Sequence, residues 1–104
     1  MRNALKAVFY KQDGRFSGFS VSGHAGYGSE GNDIVCAAVS STVMLVCNTI
    51  TEFFKANAEV KVMENEITLS LIEYNPSAEQ LLASFYQHMV FIAEEHSKIK
   101  LEIR

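Results

Sequence analysis

The stretch that decides the fold is ALKAVFYKQDGRFSGFSVSG, residues 4–23. Its two halves, residues 4–10 and 16–23, are rich in aromatic and β-branched side chains, which favour β-strands. Between the halves, Gln12-Asp13-Gly14-Arg15 contains the Asp-Gly pair that is typical of tight hairpin turns. The sequence therefore predicts that the chain opens with two antiparallel strands.

The next stretch, from Asp33 to about Lys55, predicts a helix that is apolar on most of its sides. Such a helix is expected to be buried, either between layers of the fold or against a partner. Residues 34–51 carry no charge, but they include Ser40 and several other polar residues and are barely long enough to cross a bilayer. We therefore expect a buried helix and no membrane span.

The remainder of the chain predicts a second hairpin, a second helix and a last strand. Alternating apolar residues in 60–62 and 67–71 flank a polar break at Glu64-Asn65. Asn75-Pro76 is typical of a helix start, and residues 78–93 then show helical spacing. Residues 98–103 alternate as an exposed or edge strand. The order ββαββαβ predicts a two-layer α+β fold with a mostly antiparallel five-stranded sheet and two helices on one face.

Composition and charge limit the possible functions. The chain has 104 residues, 48% of them hydrophobic, which is typical of one domain spanning residues 1–104. Nine basic and twelve acidic residues give a net charge of −3, so direct nucleic-acid binding is not expected. Charged residues interrupt the N-terminal segment as they would not in a secretory signal, and we expect a cytoplasmic protein.

A glycine-rich loop lies between the first hairpin and the first helix, with glycines at 23, 26, 28 and 31. Such a concentration of glycine is compatible with a mobile lid and equally with a long strand-to-helix connection. Gly26, Gly28 and Gly31 also match the G-x-G-x-x-G pattern of nucleotide sites. Nucleotide binding is the weaker hypothesis, because Asp33 lies where a pyrophosphate would dock.

Cysteine and histidine residues flank this loop. If Asp33 caps the first helix, Cys36 is its third residue, where the free N–H groups and the helix dipole favour a thiolate. His24 follows the second strand, and a loop that folds back would make a Cys–His pair capable of acyl transfer. The alternative is that Cys36 is a small buried residue and His24 a structural one.

The other cysteine and the other histidines are assigned no chemistry. Cys47 lies eleven residues, about 16 Å along a helix, from Cys36, so no disulfide between them is expected. We assign Cys47 to the core, where a thiol stays protonated. His88 and His96 have no metal-ligand spacing with the cysteines, so neither a metal nor an organic cofactor is expected.

The strings GHAG (residues 23–26) and GNDIVCAAVS (residues 31–40) resemble the ribosomal-processing cysteine protease family Prp. The resemblance implies a cytoplasmic, homodimeric endopeptidase. It also implies the substrate, a precursor of large-subunit ribosomal protein twenty-seven. The enzyme would remove its short N-terminal extension by cutting after Phe-Phe and before Ala.

The same resemblance assigns roles to residues of this chain. It implies that Cys36 is the nucleophile and His24 the general base, with Asp33 and Ser40 in support. The loop containing Gly26, Gly28 and Gly31 would then be a flexible flap. The alternative function is a non-catalytic ribosome-assembly or peptide-binding module that uses an exposed edge strand.

Overall fold

A computed structural model describes residues 5–23, 32–96 and 99–104, and for residues 32 and 33 it describes the backbone alone. The element order is ββαββαβ, as predicted. The strands and helices, in chain order, are β1 (Leu5–Gln12), β2 (Arg15–Ser22), α1 (Asn32–Asn48), β3 (Ala58–Met63), β4 (Glu66–Leu71), α2 (Pro76–Glu95) and β5 (Ile99–Ile103).

The five strands form one sheet in the order β3-β4-β2-β1-β5. Only the β1–β5 pair is parallel, so the sheet is mostly antiparallel and β5 is an edge strand, both as predicted. Asp13 (φ 55°) and Gly14 (φ 77°) close the first hairpin with two positive φ angles. That conformation matches the twist of the flanking strands and explains the Asp-Gly pair.

The core lies between one face of the sheet and the two helices. Phe9 and Phe19 lie opposite each other on β1 and β2, and Leu69 of β4 pairs with Phe19 on the same face. The Phe85 ring of α2 lies 5.2 Å from that of Phe9 and 5.0 Å from that of Phe19, both edge-on. This packing confirms the predicted two-layer architecture.

Strand β2 makes one close contact with α2 and another with β4. The β1–β2 register shifts between Tyr10 and Lys11, and the amide of Phe16 beside this irregularity donates to Glu79 Oε2 of α2 at 3.3 Å. At Gly18, a Cβ atom would lie 2.2 Å from the carbonyl oxygen of Leu69. No side chain fits there, so glycine is required by the close approach of β4.

Helix α1 packs through one stripe, formed by Val39, Val43 and Val46, and Ile50 extends this stripe beyond the helix. Within the single chain the other sides are not covered, because Ile34 and Leu45 are 76% and 65% exposed. The predicted burial between layers of the fold is therefore wrong, and burial against a partner stays a prediction. A two-layer fold covers a helix from the sheet side only. The segment Ile34–Phe53 is long and apolar enough to cross a membrane, and only 28% of it is buried in the fold. That it does not span a membrane stays a prediction.

The first helix is not α-helical through residue 55 as predicted. The α-helix ends at Asn48, and a π-helical turn follows over Thr49–Phe53. The hydroxyl groups of Thr49 and Thr51 donate to the carbonyls four residues earlier, at 2.8 and 2.9 Å. Such bonds satisfy polar side chains on an apolar helix and often accompany local distortion of its backbone.

Helix α2 begins as predicted. The Asn75 side chain accepts a hydrogen bond from the amide of Ala78 at 2.9 Å, and Pro76 opens the helix. Ala78, Leu82, Phe85 and Met89 form the buried stripe that packs on the core. The amphipathic helix predicted from residues 78–93 is therefore confirmed.

Candidate active site

The start of α1 sets the position of Cys36. The helix begins at Asn32, one residue earlier than predicted, so Asp33 is its second residue and Cys36 its fifth. The predicted cap at Asp33 is wrong, and Cys36 lies just after the first turn instead of within it. The N–H groups of the helix start, which have no partner within the helix itself, precede Cys36 by about one turn.

Cys36 lies on a helix face that it shares with two of the predicted supporting residues. Asp33 is three residues before it and Ser40 four residues after it, which is the spacing of neighbours on one side of a helix. Cys36 and Ser40 are both half-buried, so the sulfur is not sealed in the core. The side chain of Asp33 lies outside the described residues.

Strand β2 leads to His24 from a well-anchored end. Gly23 has a φ of 83°, and its amide donates to the carbonyl of Asn65 at 3.0 Å. Three residues earlier on β2, the hydroxyl of Ser20 donates to Glu66 Oε2 at 2.5 Å. The β3–β4 turn therefore fixes the last residue before His24. The polar break at residues 64–65 gave no sign of this role, because the contact depends on the β2–β4 pairing.

Several predicted site residues lie outside the described part of the chain. These are His24 and the loop glycines Gly26, Gly28 and Gly31. The pairing of His24 with Cys36 and the flap therefore stay predictions.

Cys47 has a different environment from Cys36. It packs against the hydrophobic core, and this burial raises the pKa of its thiol to about 11. A thiol with that pKa is protonated at neutral pH and is a poor nucleophile. Cys47 is half-buried, as Cys36 is, and packs against the core without being part of it, so its predicted place in the core is wrong, whereas its protonated thiol is as predicted. Neither cysteine forms a disulfide.

An apolar groove of about 600 Å³ lies between α1 and the β3–β4 hairpin. We call it the α1–β3 groove, and its main lining residues are Val43, Met44, Cys47, Val60, Val62 and Ile67, with Leu45, Asn48 and Thr51 completing the lining. None of these side chains is charged at neutral pH, since Cys47 keeps its proton. The sequence did not predict this groove.

The described residues also form a second cavity, but they contain no metal-binding cluster. A smaller cavity of about 240 Å³ lies at the far end of β2, where the Arg15 guanidinium stacks 4.1 Å over the Tyr74 ring. Within residues 5–23, 32–96 and 99–104, no group of three or more His, Cys, Asp or Glu side chains could hold a metal ion. His88 lies exposed on α2.

Comparisons with known proteins identify the family of the chain. Residues 4–100 match the family described as cysteine protease Prp. A comparison with curated proteins returns no match. The chain belongs to the Prp family, and by that membership it is a cysteine peptidase.

Solved structures share the fold across almost the whole chain. SMU.848 from Streptococcus mutans is 21% identical, with a TM-score of 0.84 over 98% of this chain and 100% of its own. The essential ribosomal processing protease Prp from S. aureus, in complex with a substrate peptide, is 21% identical, with a TM-score of 0.88 over 96% and 99%. The same S. aureus protease with a covalently linked product peptide is 22% identical, with a TM-score of 0.84 and the same coverage.

Proposed function

We propose that this chain is an endopeptidase in which the thiolate of Cys36 is the nucleophile. The observation that carries the proposal is the contrast between the two cysteines of the chain. The family requires a reactive cysteine, and burial raises the pKa of Cys47 to about 11. Cys36, half-buried near the start of α1, is the cysteine that remains.

We assign the general base to His24. The chain has three histidines, and the other two, His88 on α2 and His96 at its end, are exposed. His24 directly follows the anchored Gly23 and precedes Cys36 by twelve residues. The GHAG string supports the same assignment.

The proposed reaction has two steps. The Cys36 sulfur attacks the carbonyl carbon before the scissile bond, and His24 gives a proton to the departing amine, leaving a thioester. His24 then takes a proton from water, which attacks the thioester, releases the N-terminal product and restores the thiolate. Backbone N–H groups at the start of α1 donate to the oxyanion in both steps. Asp33 and Ser40, on either side of Cys36, support the site, and no metal or organic cofactor takes part.

The proposed substrate is a ribosomal protein precursor with an N-terminal extension. We propose large-subunit ribosomal protein twenty-seven, cut after Phe-Phe and before Ala. One support is the resemblance of residues 23–40 to the family. Another is the structural match to a protein described as a ribosomal processing protease bound to a substrate peptide. A glycine flap that orders on the peptide would link substrate binding to assembly of the site.

The test is incubation with a peptide that spans the Phe-Phe-Ala site, followed by mass spectrometry of the products. We expect one cut, after Phe-Phe, by the unmodified protein and none by Cys36→Ala.

The rival function is a non-catalytic peptide-binding module, which the edge position of β3 favours. The rival predicts no product, and peptide binding that Cys36→Ser leaves unchanged.

We also propose that the protein is a cytoplasmic homodimer with no membrane or nucleic-acid partner. The outer side of α1 supports the dimer, because Ile34, Ala38 and Leu45 are exposed apolar residues on one side of the helix. A second copy would cover this stripe. Light scattering after size exclusion should show a dimer, and Ile34→Glu, outside the groove lining, should shift it to the monomer.

A further inference from the structure

The α1–β3 groove continues from the helix face that bears Cys36. At about 100° per residue, Val43 and Cys47 lie seven and eleven residues from Cys36 and within about 20° of its direction around the helix. At about 1.5 Å per residue, they lie about 10 and 16 Å further along the axis. One side of the groove, at Val43 and Cys47, therefore lies on the proposed nucleophile's side of α1, beyond Ser40, and the lining extends around the helix to Leu45, about 180° from Cys36.

The chemistry of the groove favours an apolar ligand. Met44 on one wall and Val62 on the other are 66% and 72% exposed, although both are apolar. With Cys47 protonated, no lining side chain offers a charge to a charged ligand. A charged group placed here would lose hydration without gaining a partner.

We propose that the α1–β3 groove binds a large apolar side chain of the peptide substrate, three to five residues from the scissile bond. The inference rests on the proposed function, with Cys36 as nucleophile. An extended peptide advances about 3.3 Å per residue, so the 10 to 16 Å between Cys36 and the groove corresponds to about three to five residues. The site would add specificity beyond the residues next to the cut.

The position of the groove favours a peptide over a second copy of the chain. It is a cleft between two elements, and two of its lining residues, Val43 and Cys47, lie on the helix face of Cys36. Of the exposed stripe proposed for the dimer, Ile34 and Ala38 lie away from the cleft, whereas Leu45 lines part of it. A second copy can cover Ile34 and Ala38 without filling the cleft, which leaves the side of the cleft at Val43 and Cys47 for the substrate.

The experiment uses two neighbouring residues of β3. Val62 lines the groove, whereas Met63, 49% exposed, follows it on the strand and points to the opposite face of the sheet. Val62→Glu and Met63→Glu therefore add the same charge on opposite faces. The substrates are peptides with a fixed scissile bond and Leu or Ser at each of the third to fifth positions on either side.

We expect the unmodified protein to prefer Leu over Ser by about tenfold in kcat/KM at one of these positions. Val62→Glu should lose about tenfold on the Leu peptide and no longer distinguish it from the Ser peptide. Met63→Glu should behave like the unmodified protein. Met44→Glu, on the opposite wall, repeats the test in case Val62→Glu does not fold, as judged by circular dichroism.

Three results would overturn the inference. The first is equal cleavage of all Leu and Ser peptides by the unmodified protein. The second is the same kcat/KM for Val62→Glu and Met63→Glu on the Leu peptide. The third is conversion of a dimer to a monomer by Val62→Glu but not by Met63→Glu. The last would show that a second copy covers the groove. If the unmodified protein cuts no peptide, the proposed function fails, and fluorescence anisotropy of the same peptides on the same variants still tests the groove.

Discussion

Cys36 and Cys47 lie on the same helix and on nearly the same face, yet their surroundings differ. Cys47 packs against the core, where burial raises the pKa of its thiol to about 11. Cys36 is half-buried as well, but it lies near the start of α1, after a first turn whose N–H groups have no partner within the helix itself. The proposed function therefore predicts that position along the helix axis, more than direction around it, decides which thiol reacts.

The largest expected effect is on catalysis. Cys36→Ala should lower cleavage of the extension peptide by about a thousandfold or more, because the covalent step loses its nucleophile. His24→Ala should do the same. Ser41→Ala, at an exposed position of the same helix that does not line the groove, is the control and should stay within about threefold of the unmodified protein. Steady-state cleavage followed by mass spectrometry measures all three, and turnover by Cys36→Ala would remove the protease assignment.

Alkylation tests the comparison without a substrate. With a pKa of about 11, Cys47 is thiolate in only about one molecule in several thousand at pH 7.5. Iodoacetamide should therefore label Cys36 at least about 100-fold faster than Cys47 in the folded protein. Peptide mapping at timed intervals gives both rates. Equal, slow labelling of the two residues would contradict an activated Cys36, and unfolding in urea should make the rates similar.

Ser40 tests the helix face between the two cysteines. Ser40→Ala should reduce kcat/KM by about tenfold if its hydroxyl supports the site by one hydrogen bond. Ser41→Ala is the control, because Ser41 is exposed and lies about 100° away around the helix. The two variants should have the same thermal midpoint. Equal activity of both would show that Ser40 has no part in the reaction.

The smallest effect is on stability at alkaline pH. Burial raises the pKa of Cys47 from its ordinary value of 9.0 to about 11, so the folded protein keeps a proton that the unfolded chain releases. The associated stability is complete below pH 9 and decreases between pH 9 and 11, by about 1 kcal/mol at pH 10. Urea unfolding at pH 8 and pH 10 should show this loss in the unmodified protein. If Cys47→Ala loses as much, Cys47 is not the cause.

The sequence predicted those features that depend on local chemistry. The Asp13-Gly14 turn, the Asn75 cap and the alternation of the strands each result from a few adjacent residues, and all are confirmed. The start of α1 was placed one residue late, because Asp33 was expected to be its cap. The strings GHAG and GNDIVCAAVS single out Cys36 as the proposed nucleophile from the sequence alone.

Features that depend on tertiary contact were not predictable. The bond from the Phe16 amide to Glu79 joins residues 63 positions apart, and Glu79 by itself suggested only a charge in the first turn of α2. The groove depends on how α1 crosses β3, which hydrophobic periodicity does not specify. Composition likewise could not show that a mostly apolar helix leaves Ile34 exposed.

The most direct test of the central claim is a peptide probe that ends in Phe-Phe and carries a chloromethyl ketone in place of the scissile bond. It alkylates a nucleophilic sulfur that has bound the peptide. After digestion and mass spectrometry, we expect one probe per chain, on Cys36, and none on Cys47. Modification of Cys47, or continued cleavage by protein fully modified at Cys36, would contradict the account.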